Sequence, residues 1–127
     1  TGGFLIEAGL AGIQASGADI SLEMLSLARE NCRAYGLRPE LRRADAREWV
    51  PRAQAIVTDL PYGRGTREVN LDMLLRVFLA RARRSTKRVV IGLPFRFPGV
   101  EGWTVRARFT HYAHRSLTRH FTVLEAA

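Results

Sequence analysis

The five-residue stretch 59–63, Asp-Leu-Pro-Tyr-Gly, most constrains how this chain folds, because it ends a strand abruptly. The apolar run 55–58 precedes it and predicts a buried strand. Because a proline follows Leu60, this residue is biased to an extended conformation, which points its carbonyl in a fixed direction beside the Asp59 carboxylate. Two such acceptors suit the two N–H groups of an exocyclic amine, and the Tyr62 ring could stack on the base that carries it. An ordinary strand-to-loop turn would use the same residue types for conformational reasons.

Helical and strand patterns occur along the whole chain. Ser21 is a plausible N-cap of the second helix, and Gly36 stands at its C′ position. The predicted order is helix 4–10, strand 17–20, helix 22–35, strand 41–43, strand 54–58, helix 71–84, strand 89–93, and a hairpin of strands 103–113 and 121–124 around a turn at 114–119. The hairpin predicts an antiparallel pair at the end of the chain.

The composition predicts a single globular domain with a basic surface. The 127 residues are 46% hydrophobic and 25% charged, with a net charge of +8 and a pI of about 11.1. Such a surface favours polyanions, and because Lys87 is the only lysine, arginine carries nearly all the positive charge. A GC-rich genome would also favour arginine. Cys32 is the only cysteine, so no internal disulfide is expected and a reducing cytoplasm fits.

Three short segments are candidate binding elements. Thr1-Gly2-Gly3 leads directly into the first helical pattern, and a Gly-rich turn that opens a helix gathers backbone N–H groups for an anion or cofactor. Asp19 stands at the end of a predicted strand, where an acidic residue can accept hydrogen bonds from ribose hydroxyls. Asp45 ends the next predicted strand. A turn or capping role is the alternative for both aspartates.

The stretch Asp59-Leu60-Pro61-Tyr62 resembles motif IV of the S-adenosylmethionine-dependent amino-methyltransferases, usually Asp/Asn-Pro-Pro-Tyr/Phe, with Leu60 in place of the first proline. Thr1-Gly2-Gly3 and the following helix resemble the second half of motif I, Asp19 matches motif II, and Asp45 resembles the motif III acid that binds the adenine amine. The resemblance implies catalytic roles for Asp59, Leu60, Pro61 and Tyr62, and cofactor-binding roles for Thr1, Gly2, Gly3, Asp19, Ile20, Asp45 and Ala46.

The stretch 114–119, His-Arg-Ser-Leu-Thr-Arg, is similar to the end of the tRNA guanine-N2 methyltransferases that act at position 10 of tRNA in archaea and eukaryotes. The order Asp-x-Pro-Tyr-Gly-Arg with a following threonine also looks like that group. The related bacterial guanine-N2 enzymes are the alternative family for the same motifs. The resemblance implies S-adenosylmethionine as cofactor and tRNA as partner. Arg64 and Arg67, in the basic glycine-rich loop 63–68, are candidate phosphate contacts, with a merely solvated loop as the alternative.

The family implies a Rossmann-like α/β fold of class I, with a mostly parallel sheet and a C-terminal antiparallel hairpin. Since no strand precedes Thr1-Gly2-Gly3, we expect residues 1–127 to be the C-terminal portion of the catalytic domain, with the first strand and an RNA-binding THUMP domain upstream. In the implied reaction, guanine N2 attacks the methyl group of the cofactor while Asp59 and the Leu60 carbonyl bind its hydrogens. A cytoplasmic protein without a membrane span is expected.

Three other functions remain open from the sequence. A DNA adenine or cytosine amino-methyltransferase uses the same motif IV, although the C-terminal hairpin favours RNA. A non-catalytic RNA-binding module would keep the fold with an idle cofactor site, and a nicotinamide oxidoreductase would need a Gly-x-Gly-x-x-Gly that is not visible. No metal is expected, because no carboxylate or cysteine joins His111, His114 and His120 at ligand spacing.

Overall fold

The computed structural model describes residues 1–60, 70–115 and 117–127, which form two compact units, Thr1–Trp49 and Val50–Ala127. The first unit contains α1 (Gly3–Leu10), β1 (Ser16–Asp19), α2 (Leu22–Ala34) and β2 (Glu40–Arg43). The second contains β3 (Ile56–Asp59), α3 (Leu71–Ala82), β4 (Arg88–Leu93), β5 (Trp103–His114) and β6 (Leu117–Ala126). Each predicted helix and strand is therefore present, with bounds that differ by a few residues.

In the first unit, α2 begins where its capping residue predicts. The Ser21 hydroxyl accepts a hydrogen bond from the Met24 backbone N–H at 3.2 Å, which satisfies one donor that the first helical turn leaves unpaired. Gly36 follows the helix with φ of 72°, a left-handed conformation that glycine adopts without steric cost. The buried face of α2 consists of Leu25, Ala28 and Cys32, so the lone cysteine packs in the core. Strands β1 and β2 are parallel, with their carboxyl ends at one edge.

In the second unit, four strands form one sheet in the order β3-β4-β6-β5. Strands β3 and β4 are parallel, whereas β6 runs antiparallel to both β4 and β5, as expected for a C-terminal hairpin. Leu75 and Leu79 of α3 are fully buried, as are Val89, Ile91 and Leu93, which alternate along β4. The Trp103 indole N–H donates to the Leu79 carbonyl at 3.1 Å.

The predicted turn at 114–119 is wrong, because Leu117, Thr118 and Arg119 already belong to β6. Their backbones continue the antiparallel ladder, in which Arg119 pairs with His111. A register irregularity between Tyr112 and His114 accommodates the short connection at the tip of the hairpin. Arg119 therefore lies on a strand of the sheet and points to one of its faces.

The described residues form two hydrogen-bonded sheets, β1-β2 and β3-β4-β6-β5. Strands β1 and β3 each have one pairing partner among them, which leaves one edge of each strand unpaired within this part of the chain. The expectation that a preceding strand completes the fold stays a prediction. No helix in the described ranges is long and apolar enough to cross a membrane.

Candidate active site

Asp59 is the last residue of β3, at the carboxyl end of a parallel strand. Its backbone pairs with Gly92 of β4, and the next N–H, of Leu60, donates to the Gly92 carbonyl at 3.1 Å. Leu60 is 3% exposed, so a buried side chain and a ladder hydrogen bond fix the peptide that follows the carboxylate. The predicted delivery of Asp59 at a strand end is confirmed, although β3 begins at Ile56 rather than at residue 54.

The glycine at position 92 provides the space in which the Asp59 carboxylate lies. A Cβ atom at this position would stand 2.6 Å from Asp59 Oδ1 and 2.9 Å from Phe121 Cε1. Contacts this short do not occur for real Cβ atoms. The absence of a side chain on β4 therefore allows the Asp59 carboxylate and the Phe121 ring to approach the same point from the two neighbouring strands.

Arg119 of β6 forms an ion pair with Asp59, with 2.9 Å between Nη1 and Oδ2. The Asp59 side chain is 19% exposed and that of Arg119 38%. The sequence reasoning missed this residue because it assigned Arg119 to a turn. A strand has a period of two residues, so extending the predicted last strand back to Leu117 would have placed Arg119 on the same face as Phe121 and Val123.

Two phenylalanines on the paired strands β5 and β6 stack on each other, and one of them, Phe121, approaches the same point at Gly92 as the Asp59 carboxylate. Phe109 and Phe121 face each other across β5 and β6, with ring centroids 5.2 Å apart and an interplanar angle of 12°. Phe109 is 52% exposed although it is a large apolar residue. The stacked pair therefore presents an accessible aromatic surface in the unit that contains Asp59.

The remaining predicted catalytic and substrate residues lie outside the described residues. These are Pro61 and Tyr62, which follow Leu60, and the loop arginines Arg64 and Arg67. Their roles stay predictions.

A groove of ≈ 310 Å³ lies on the same unit and has a basic lining. Arg96, Arg108 and His120 contribute to it. The Arg108 guanidinium donates to the Phe97 carbonyl at 3.3 Å, which anchors it beside the groove. Side chains of this type suit phosphate oxygens.

In the first unit, the Gly-rich segment is held against α2. Gly2 has φ of 87°, and a Cβ there would stand 3.2 Å from both Cα and Cβ of Ala28. The Asn31 side chain donates to the Thr1 carbonyl at 3.0 Å. The backbone that enters α1 at Gly3 is thus closely packed and left-handed, which only glycine tolerates well.

Asp19 is the last residue of β1, and Asp45 comes two residues after β2, so both stand at the carboxyl ends of these parallel strands. Asp19 Oδ1 accepts a hydrogen bond from the Ser21 N–H at 2.8 Å, a capping contact that uses one of its two oxygens. The neighbouring Ile20 is 57% exposed, and Ala46 is half-buried.

Asp45 is bound by Arg47, with 2.6 Å between Asp45 Oδ2 and Arg47 Nη2. It also accepts the Arg47 backbone N–H at 2.8 Å. The hydrogen bonds from the Arg47 side chain and backbone lower the pKa of the Asp45 carboxyl below its usual value. Residues 46–48 form a turn and not a helix, so the alternative turn role of Asp45 is present in this structure, whereas a helix-capping role is not. A ligand amine would share this carboxylate with Arg47.

The residues of the first unit fit a nucleoside cofactor. The Gly-rich segment brings backbone groups to the start of α1, and the Asp19 carboxylate retains acceptor capacity for hydroxyl groups. Within the described ranges, no group of three or more His, Cys, Asp or Glu side chains could hold a metal ion. The candidate donors and acceptors of the first unit are backbone groups and the carboxylates of Asp19 and Asp45.

Comparison with known proteins gives matches over nearly the whole chain. The chain is 37% identical to a tRNA (guanine(10)-N2)-dimethyltransferase of Methanothermobacter thermautotrophicus over 98% of its residues, and 33% identical to one of Pyrococcus abyssi over 99%. It spans about two-fifths of the length of these curated relatives, 41% and 42%.

Solved structures share the fold at low sequence identity. Magnesium protoporphyrin IX methyltransferase of Synechocystis PCC 6803, with bound SAM, superposes with a TM-score of 0.74 at 13% identity, covering 96% of this chain and 64% of the other. A candidate RNA methyltransferase of Pyrococcus horikoshii gives 0.74 at 17% identity, covering 97% and 67%. The α/β fold is thus that of the class I methyltransferases, as the motifs predicted. The UPF0020 family, described as RMKL-like methyltransferase domain, matches residues 1–93, and the chain belongs to this family.

Proposed function

We propose that this chain is the catalytic part of an S-adenosylmethionine-dependent methyltransferase that modifies the exocyclic N2 amine of guanosine in tRNA. The observation that carries the proposal is the Asp59 carboxylate, which ends a parallel strand and is held between Gly92 and Arg119. The motif that begins at Asp59 is the one from which amino-methyltransferases bind the target amine. The curated relatives carry the name of this tRNA reaction.

The cofactor-binding residues of the proposal are those of the first unit. Gly2 and its neighbours Thr1 and Gly3 would hold the cofactor through backbone groups, because free backbone N–H groups gather at the start of α1. Asp19 would bind ribose hydroxyls, and Asp45 the adenine amine, with Ile20 and Ala46 adjacent. When bound, S-adenosylmethionine supplies an electrophilic methyl group.

Asp59 acts on the amine in this proposal. Guanine N2 is a poor nucleophile because its lone pair is delocalised into the ring. A carboxylate that accepts an N–H hydrogen bond favours a more tetrahedral nitrogen, and a second acceptor at the Leu60 carbonyl would fix the direction of the lone pair. Interactions that strengthen as charge develops lower the barrier more than those equally strong in the ground state.

Two features of the chain support RNA as the substrate. The net charge of +8 favours polyanions, and the groove with Arg96 and Arg108 offers guanidinium groups to phosphates beyond those predicted at Arg64 and Arg67. The exposed Phe109 ring, stacked on Phe121, suits contact with an unstacked base.

The test is Asp59→Ala in the native full-length protein, assayed by methyl transfer to unmodified tRNA with filter binding alongside. We expect kcat to fall about 100-fold or more, since one preorganised electrostatic contact in a transition state contributes roughly that much. The affinity for tRNA should change little, because it comes mainly from arginine–phosphate contacts. Asp72→Ala is the matched control, since Asp72 pairs with Arg76 on the exposed surface of α3.

A wild-type rate in Asp59→Ala would refute the role of this carboxylate. Methyl transfer to DNA but not RNA would favour a DNA amino-methyltransferase. If the wild-type protein binds tRNA and methylates neither polymer, a non-catalytic binding module is the better interpretation.

A further inference from the structure

We propose that Arg119 is a positioning residue that orients the Asp59 carboxylate for the amine, and that it acts through Asp59 rather than by binding RNA. The inference rests on the proposed function, because it needs Asp59 to be the amine-binding group. It makes the C-terminal hairpin a structural part of the active site, although Arg119 lies sixty residues along the chain from Asp59.

Three adjacent strands build the contact. Asp59 of β3 pairs with Gly92 of β4, and Gly92 pairs with Phe121 of β6, two residues from Arg119. Residues two apart on a strand share a face, so Arg119 and Phe121 lie on the face that carries the Asp59 side chain. The guanidinium contacts Asp59 across β4 at 2.9 Å, and a Cβ at Gly92 would displace the carboxylate that it contacts.

The two carboxylate oxygens have different neighbours in this arrangement. Oδ2 accepts from Arg119 Nη1, and Oδ1 lies over Gly92, 2.6 Å from the point where a Cβ would stand. Rotation of the carboxylate about χ2 would break the contact between Oδ2 and Arg119. The ion pair therefore selects one orientation of the carboxylate, whereas the χ2 angle of an aspartate otherwise has a broad distribution. Each oxygen has two lone pairs, so the ion pair with Arg119 still leaves acceptor capacity for an amine.

The low exposed fraction of the Arg119 side chain favours a role in binding the Asp59 carboxylate over a role in binding phosphate. Its side chain is 38% exposed, whereas the arginines in the other four ion pairs of the described residues are 51% to 60% exposed. Arg106, at the other end of the same hairpin, is 60% exposed and pairs with Glu125. A phosphate-binding arginine would be expected to resemble Arg106 in its accessibility.

The experiment compares Arg119→Ala, Arg119→Lys and the control Arg106→Ala in the native full-length protein. Each alanine variant removes one arginine–carboxylate pair from the hairpin. We expect Arg119→Ala to lower kcat for tRNA methylation roughly 10- to 100-fold, as for a catalytic group misplaced by about 1 Å, with KM for tRNA within about twofold of wild type. Arg119→Lys should recover part of the loss because it keeps the charge, and Arg106→Ala should behave as wild type.

A double-mutant cycle with Asp59→Asn separates action through Asp59 from an independent role. We expect Arg119→Ala to cause no further loss of rate in the Asp59→Asn background. An additive loss, a raised KM with unchanged kcat, or a wild-type rate in Arg119→Ala would each overturn the inference. Should the alanine variant fail to fold, Arg119→Gln carries the same cycle, since it keeps much of the side chain without the charge.

The same data distinguish failure of this inference from failure of the proposed function. If Asp59→Asn itself keeps the wild-type rate, the proposed role of Asp59 is wrong, and the inference fails with it. If Asp59→Asn is impaired and Arg119→Ala is not, only the inference is wrong.

Discussion

Replacing Gly92 with alanine tests whether the position of the Asp59 carboxylate matters for the reaction. The added Cβ would stand 2.6 Å from Asp59 Oδ1, and ordinary contact begins at 3.4 Å, so the carboxylate must move by about 0.8 Å. The Phe121 ring, at 2.9 Å, must move by about 0.5 Å. Because a misplacement of about 1 Å can cost roughly 100-fold in rate, we expect kcat to fall between about 10- and 100-fold.

Gly92→Ala should also lower the free energy of unfolding, by up to about 2.6 kcal/mol, because the overpacking cost exceeds the entropic gain. Alanine lowers the entropy of the unfolded chain, which stabilises by about 0.4–1 kcal/mol, whereas the overpacking costs about 1–3 kcal/mol. The assay is single-turnover methyl transfer to tRNA, with a urea melt of the same preparation. Val90→Ile is the control, since it adds a carbon on the same face of β4, two residues away. A folded Gly92→Ala variant with wild-type kcat would refute the reasoning.

Two further predictions concern the first unit. Gly2→Ala should weaken S-adenosylmethionine binding about tenfold, measured by calorimetry, and leave the affinity for tRNA unchanged. The reason is that alanine at φ of 87° is strained by about 1–2 kcal/mol and that its Cβ would stand 3.2 Å from Ala28. Unchanged cofactor affinity would contradict the role of Gly2. Arg47→Ala should raise the pKa of Asp45 toward its usual value of about 3.9, measured by NMR titration. Because the folded pKa is the lower one, the stability from this pair is present above about pH 3.9 and is lost as pH falls through the folded pKa, so wild type and variant should converge in urea melts at lower pH.

Local signals in the sequence determined most of the secondary structure. The Ser21 cap, the Gly36 terminator and the apolar spacing of Leu25, Ala28 and Cys32 specified α2 without help from the rest of the fold. The strand ends at Asp19 and Asp59 were also readable, because an apolar run followed by a turn-forming residue depends only on neighbours in the chain. The methyltransferase family followed from the same short motifs.

The position and partner of Arg119 in the hairpin could not be predicted from neighbouring residues in the sequence. His114 to Arg119 contains polar residues typical of a turn, and nothing in that stretch indicates that Arg119 has a partner sixty residues earlier. The register of β6 on β4, in which Phe121 pairs with Gly92, sets which face Arg119 occupies, and register depends on pairing between strands.

The sequence by itself determined which residues end the strands, since propensity and hydrophobic period act over a few neighbouring residues. Only the tertiary structure decided that Asp59, Gly92 and Arg119 form one cluster, because strand order and register bring them together. Gly92 in the sequence is one glycine inside an apolar strand. Its importance arises from the carboxylate and the aromatic ring that approach it from two neighbouring strands, and those contacts exist only after the sheet has formed.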